Sequence, residues 1–89
     1  MEQRTVEIEG IEFTIDTSKL GTWRSFNIVK KAYAANDDYQ RIDSLIEIAC
    51  YITDLTEQEL IEKCGGDEVS LERVVTVVSQ LIAETYPKK

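Results

Sequence analysis

Apolar residues recur along this chain with two different periods. Val6 and Ile8, then Ile11, Phe13 and Ile15, alternate with polar residues on either side of Glu9-Gly10, the period of two expected of half-buried strands. A two-residue turn at Glu9-Gly10 predicts a hairpin over residues 4–15 that pairs Ile8 with Ile11 and Val6 with Phe13, putting every apolar pair on one face. The other face then sets Glu7 opposite Glu12, a like-charge pair that disfavours the register unless a cation or solvent intervenes. Because a two-stranded hairpin alone is marginal in water, its apolar face must lie on helices or join another sheet. An exposed edge here would be a pairing site.

Beyond residue 16 the period lengthens. Asp16-Thr17-Ser18 caps a short turn through Leu20, Gly21 breaks it, and Thr22 caps a helix over about 22–35. On a helical wheel Trp23, Phe26, Val29, Ala32 and Tyr33 share one broad side of it, and Arg24, Asn27 and Lys31 the opposite one. That places Trp23 in the core and makes Tyr33, Tyr39 and Tyr51 ordinary packing residues. Asn36-Asp37-Asp38 ends this helix and opens the next, about 38–52, which is the centre of the pattern: seven of the eight residues from Leu45 to Ile52 are apolar or aromatic. Such a helix has almost no side left for water and is expected to be wrapped by the others. A strand is the competing reading there, but the spacing 42, 45, 46, 49, 52 is helical. Thr56 and Glu59 form a capping box for a short helix, about 57–64, stopped by Gly65-Gly66. Leu71, Val74, Val75, Val78, Leu81 and Ile82 mark a last helix, about 70–85, with Ser70 as cap and Pro87 beyond its end. Its valines lower helix propensity, so packing must hold it. The fold class expected is α+β and mostly helical: one domain over 1–89, an N-terminal hairpin packed on about four helices.

Charge alters this picture in one place. Ten basic and seventeen acidic residues give a net −7 without any histidine, which argues against generic binding to phosphate backbones or anionic membranes. Four of the basic residues (Lys19, Arg24, Lys30, Lys31) and none of the acidic ones lie within residues 17–36. That leaves six against seventeen, a net −11, for the remainder. Such segregation orients like copies head to tail or steers an acidic partner onto the first helix, and it makes Arg24, Asn27, Lys30 and Lys31 the candidate partner-binding residues. A solvated helix face without a partner is the bland alternative.

Candidate chemistry is sparse. The absence of histidine removes most hydrolase triads and the zinc hydrolases. The carboxylate pairs Asp37-Asp38 and Glu57/Glu59 sit at expected helix starts, where negative charge complements the helix dipole. Gly65-Gly66-Asp67 lacks the lysine and hydroxyl residue of a phosphate loop and reads as a helix-ending turn. Cys50 and Cys64, without a CxxC spacing, read as reduced, packed thiols of a cytosolic protein. No catalytic residue, cofactor or metal site is expected. The opening MEQRTVEIEG has no apolar run after a basic start, and no stretch approaches the ~20 apolar residues of a membrane span.

The order of features resembles the small tail assembly chaperones encoded by long-tailed bacteriophages and prophages. The resemblance is carried by the strand pair ending in Ile15-Asp16, by Asp16, Leu20 and Trp23 opening a basic helix, and by the Asn36-Asp37-Asp38 break. The apolar middle helix and a glycine before an amphipathic terminal helix complete it. It spans nearly the whole chain, without a single diagnostic motif. The resemblance implies a non-enzymatic protein of the infected bacterial cytoplasm that binds the tape measure protein, keeping it soluble while tail tube subunits assemble around it. Self-association is compatible with that role; nucleic acid and membrane are not expected partners. Many genes of this family also make a longer product by ribosomal frameshifting, and Pro87-Lys88-Lys89 read from CCN-AAA-AAA codons would supply a slippery run. No catalytic residue carries over, and no motif maps a client-binding residue. An acidic inhibitor that mimics nucleic acid is the alternative; it requires the acids to form one continuous face. A small enzyme using Cys64 beside Lys63 is a third reading, although a thiolate prefers a helix N-terminus.

Overall fold

The alternation of residues 3–16 produces the expected hairpin. In the computed structural model, which describes residues 2–86, strand β1 (Gln3–Ile8) pairs antiparallel with β2 (Ile11–Asp16). Ile8 faces Ile11, Val6 faces Phe13, and Glu7 faces Glu12. Ile8, Phe13 and Ile15 are buried, β1 packing on the last helix and β2 on the central one. Glu9 (φ 53°) and Gly10 (φ 81°) both occupy the left-handed region, as a tight two-residue turn requires. A glutamate there is strained by about 1 to 2 kcal/mol, and the last helix supplies what holds it. Arg73 donates to the Glu9 carboxylate (3.0 Å) and carbonyl (3.3 Å), and Gln80 donates to the second carboxylate oxygen (3.1 Å). Lys63 donates to the Glu12 carbonyl at 3.2 Å, which brings a cation to the strand that carries the like-charge pair.

Asp16 accepts the Ser18 N–H at 3.0 Å and opens a single 3-10 turn, Thr17–Lys19. The Ser18 hydroxyl bond is the main reason the Asp16 carboxyl lies below the usual carboxylate range. Helix α1 (Trp23–Ala34) starts at Thr22, whose hydroxyl oxygen accepts the Ser25 N–H (3.1 Å). Helix α2 (Asp38–Thr53) starts at Asp37, which accepts the Gln40 N–H (2.8 Å), and ends at left-handed Asp54. Helix α3 (Glu57–Cys64) carries the expected Thr56/Glu59 capping box. Gly65 (φ 141°) and Gly66 (φ 92°) terminate it, and a Cβ on Gly65 would stand 3.3 Å from Val69. Helix α4 (Leu71–Thr85) is capped by Ser70. The protein is therefore α+β and mostly helical, a two-stranded hairpin followed by four helices. Pro87, expected to close α4, and the Pro87-Lys88-Lys89 run lie outside the described residues.

Helix α2 is the hub: it touches α1, α3, α4 and β2 and buries Ile48, Ala49 and Ile52 within the core cluster. Two helices present different faces from those expected. On α4 the buried stripe is Val74, Val77, Val78, Leu81 and Thr85, while Leu71 is 51% exposed and Val75 and Ile82 are half-buried. On α1 the buried residues are Ser25 and Ile28, and Trp23 is 72% exposed. Placing Trp23 in the core is thus corrected. At 100° per residue the inward direction runs through Ser25, Ile28 and Ala32, more than a third of a turn from the side that carries Trp23, Phe26 and Tyr33. Ile28 and small Ala32 lie beside α2, and small Ser25 meets the end of α4 at Tyr86, positions at which an indole ring would hold the elements apart. No described helix is long and apolar enough to cross a membrane.

Candidate partner-binding face

The rotation of α1 converts a would-be core face into a surface. Trp23, Phe26 (53% exposed) and Tyr33 (87% exposed) stand in water, and the Trp23 and Phe26 rings lie 5.4 Å apart, tilted by 37°, within the usual range for interacting aromatic pairs. The Lys30 ammonium sits 5.4 Å from the Phe26 ring centroid, close enough for a cation–π contact. Positions 23, 26, 30 and 33 therefore form one line along the helix, three aromatic rings and a cation, outward of the seam with α2.

All four residues expected to bind a partner are brought together. Arg24, Asn27, Lys30 and Lys31 line one shallow depression of about 550 Å³ with Trp23 and Glu47. Their charges are not equivalent. Lys31 donates to the Glu47 carboxylate at 2.9 Å, whereas Arg24 lies over the Tyr51 ring at 5.4 Å. Lys19, the fourth cation of the basic window, lies 3.8 Å from Asp54 and donates to the Tyr51 carbonyl at 3.0 Å. Among the described residues Lys30 and Arg24 form no ion pair. Tyr51 anchors this end of the helix, since its hydroxyl lies 3.0 Å from that of capping Thr22. One turn on, the buried Ser25 hydroxyl is bonded to the Tyr86 hydroxyl, tying α1 to the end of α4. Burial raises the Tyr86 phenol above its ordinary value, with the Ser25 bond pulling in the opposite sense.

On the other flank of α1 a second depression, about 330 Å³, is lined by Val29, Ala32, Tyr33, Leu45, Ile48 and Ile82, with Arg41 beside them. It is apolar and continuous with the aromatic line through Tyr33. Leu45 and Ile82, expected as core residues, are half-buried and pack against the edge of the core. The sequence contains a stripe compatible with the rotation of α1, Ser25, Ile28, Val29 and Ala32 at 3, 1, 3, narrower than the one the aromatics suggest, but does not choose between the two.

The remaining chemistry is quiet. Cys50 opens onto a third depression beside Tyr51 and Glu57, and burial, with the Glu57 charge adding to it, pushes its thiol up to about 11. Burial also raises Cys64, against a smaller opposing effect of Arg73. Both thiols are free and stay protonated at neutral pH, the reverse of an activated nucleophile. Asp37 and Glu59, two of the paired carboxylates, are engaged in helix caps, and Asp38 is ion-paired with Arg41 at 3.0 Å. Among the described residues no group of three or more metal-ligating side chains converges.

Comparison of the chain with protein-family models, with curated proteins and with solved structures finds no match.

Proposed function

We propose that this protein is a non-enzymatic tail assembly chaperone of a phage or prophage, which binds the tape measure protein in the bacterial cytoplasm and assists assembly of the tail tube. The reading rests on the sequence resemblance for the client. Its support in the molecule is a single observation: an acidic body displays a line of exposed aromatic rings beside an apolar depression along the basic helix α1. Exposed apolar surface of this kind on a small protein marks a site of protein contact, and grooves along a helix are a common seat for amphipathic client helices. Capping engages Asp37 and Glu59, an ion pair engages Asp38, and burial keeps the thiols protonated, so binding rather than catalysis is the use proposed for the surface.

The test is co-expression of the tagged full chain with the tape measure protein encoded beside it. The client is expected to remain in the soluble fraction only when the chain is present, and to co-purify with little loss as salt rises, because apolar contacts are not screened. A client that pellets equally with and without the chain refutes the proposal. A complex formed instead with a basic nucleic-acid enzyme, and dissolved by salt, supports the acidic-inhibitor alternative. Expression of the gene with its 3′ flank adds an independent readout, since a second, longer product sharing this N-terminus is expected of the chaperone family.

A further inference from the structure

We infer that the face of α1 from Trp23 to Tyr33 is the seat of one acidic, amphipathic α-helix supplied by another protein, with Lys30 selecting the acidic side chains that border its apolar ridge. The inference deepens the chaperone reading and rests on it for the natural client.

Three observations define the occupant. The first is shape. Trp23, Phe26, Lys30 and Tyr33 recur at intervals of three, four and three along α1, a ridge about 15 Å long. The backbone of α1 is satisfied within the helix and offers no edge to an extended strand. A helix of about three turns matches the ridge, its own apolar side chains entering the neighbouring depression beside Val29, Tyr33 and Ile82.

The second is charge. No acidic residue occurs within residues 17–36. Lys31 and Lys19 are engaged with Glu47 and Asp54, so Lys30, poised over the Phe26 ring, is the ammonium left to meet an incoming carboxylate. A partner bearing lysine or arginine at the same positions meets Lys30, Lys31 and Arg24 with no acid on this helix to neutralise them, Glu47 of α2 being already paired with Lys31.

The third concerns a second copy of this chain. A symmetric contact through α1 brings together two faces that each carry Arg24, Lys30 and Lys31 and no acidic residue, so like charges repel across it. Elsewhere among the described residues the large exposed apolar side chains are Tyr39 and Leu71, on different helices, which offer a head-to-tail copy no apolar ridge. Another protein is therefore the occupant that fits.

Trp23 is the single tryptophan, so the intact protein reports its own occupancy by fluorescence. The probe is a synthetic amphipathic helix of about 20 residues, free of aromatic residues, with leucines at helical spacing bordered by glutamates. The control replaces those glutamates with lysines. Saturable binding of the glutamate helix with a blue shift of Trp23 emission is expected, with the lysine helix at least about tenfold weaker. Lys30→Glu should lose about tenfold in affinity for the glutamate helix and recover affinity for the lysine helix. Phe26→Ala, read by calorimetry, should weaken both. Circular dichroism confirms that each variant is folded. Equal affinity of the two helices, binding without a change in Trp23 emission, or a Lys30→Glu variant that binds as the parent overturns the inference; so does a stable dimer that already shields Trp23.

Failure here is separable from failure of the chaperone reading. If the tape measure protein co-purifies undiminished with Lys30→Glu and Phe26→Ala, this face is not the seat, and the chaperone reading stands. If the glutamate helix binds at Trp23 while the tape measure protein does not co-purify, the surface stands and the chaperone reading falls.

Discussion

Replacing Trp23 and Ile28 by alanine, one at a time, tests the rotation of α1 on which the binding face depends. Ile28 is 3% exposed and belongs to the core cluster. Truncating a buried isoleucine to alanine costs about 2 to 5 kcal/mol, through lost burial and the cavity left behind, and a site this enclosed falls near the middle of that range. Trp23 is 72% exposed. A fully buried tryptophan covers about 250 Å², so the remaining 28% amounts to about 70 Å², worth about 1.7 kcal/mol. Loss of the Phe26 ring contact adds about 0.5 kcal/mol, and the better helix propensity of alanine returns about as much. Trp23→Ala should therefore cost about 1 to 2 kcal/mol and Ile28→Ala about 3 kcal/mol or more. Urea titration followed by circular dichroism at 222 nm reads both, since fluorescence is lost with Trp23. In thermal melts about 1 kcal/mol corresponds to a fall in Tm of about 4 to 8 °C for a domain of this size. If α1 instead buried its aromatic side, the order would reverse, Trp23→Ala costing about 3 to 5 kcal/mol and Ile28→Ala little. A Trp23→Ala variant less stable than Ile28→Ala refutes the rotation and with it the binding face.

Two further expectations concern how α1 is held and how stability responds to pH. Tyr86→Phe leaves the Ser25 hydroxyl, 1% exposed, without its partner and should cost about 1 to 3 kcal/mol; Ser25→Ala combined with Tyr86→Phe should cost less than the sum of the two single changes, as measured in a double-mutant cycle. Additive effects would show that the two hydroxyls are not coupled. Cys50 ionises at about 11 in the folded protein against an ordinary 9.0, and Cys64 and Tyr86 are raised as well. Within that interval the unfolded chain has released protons that the folded protein retains, so stability is full below about pH 9 and falls as pH rises toward 11. Urea midpoints constant from pH 8 to pH 11 would contradict these shifts, and Cys50→Ala should flatten part of the decline.

The elements that depend on residues close in sequence were legible before any tertiary information. The hairpin register follows from alternation on either side of Glu9-Gly10, and it is observed with Ile8 opposite Ile11 and Glu7 opposite Glu12. The caps at Asp16, Thr22, Asp37, Thr56 and Ser70 accept backbone N–H groups within a few residues of themselves, so their chemistry is complete in the local sequence. The hub role of α2 was legible for a related reason, because a helix apolar on nearly every side admits no exposed placement. The four residues of the basic candidate site also converge, since they were chosen from a single helix and a helix fixes its own neighbours.

What only the tertiary structure decided is which side of an ambiguous helix faces inward. Around α1 the apolar residues Trp23, Phe26, Ile28, Val29, Ala32 and Tyr33 cover more of the circumference than one seam can bury, and counting them favours the aromatic side. Close packing against α2 and the end of α4 selects instead the stripe with small residues, Ala32 and Ser25, because neighbouring elements approach only as near as the side chains between them allow. The same selection on α4 exchanges Leu71 for Val77 and Thr85. Long-range polar contacts were likewise beyond local inference: Arg73 and Gln80 holding the Glu9 turn, and Tyr86 reaching Ser25, join positions more than sixty residues apart. Sequence determines which segments fold and where they stop, because those choices are settled within a turn or two; which stripe of α1 packs inward, and so leaves the aromatic rings exposed, depends on neighbours that only the assembled fold supplies.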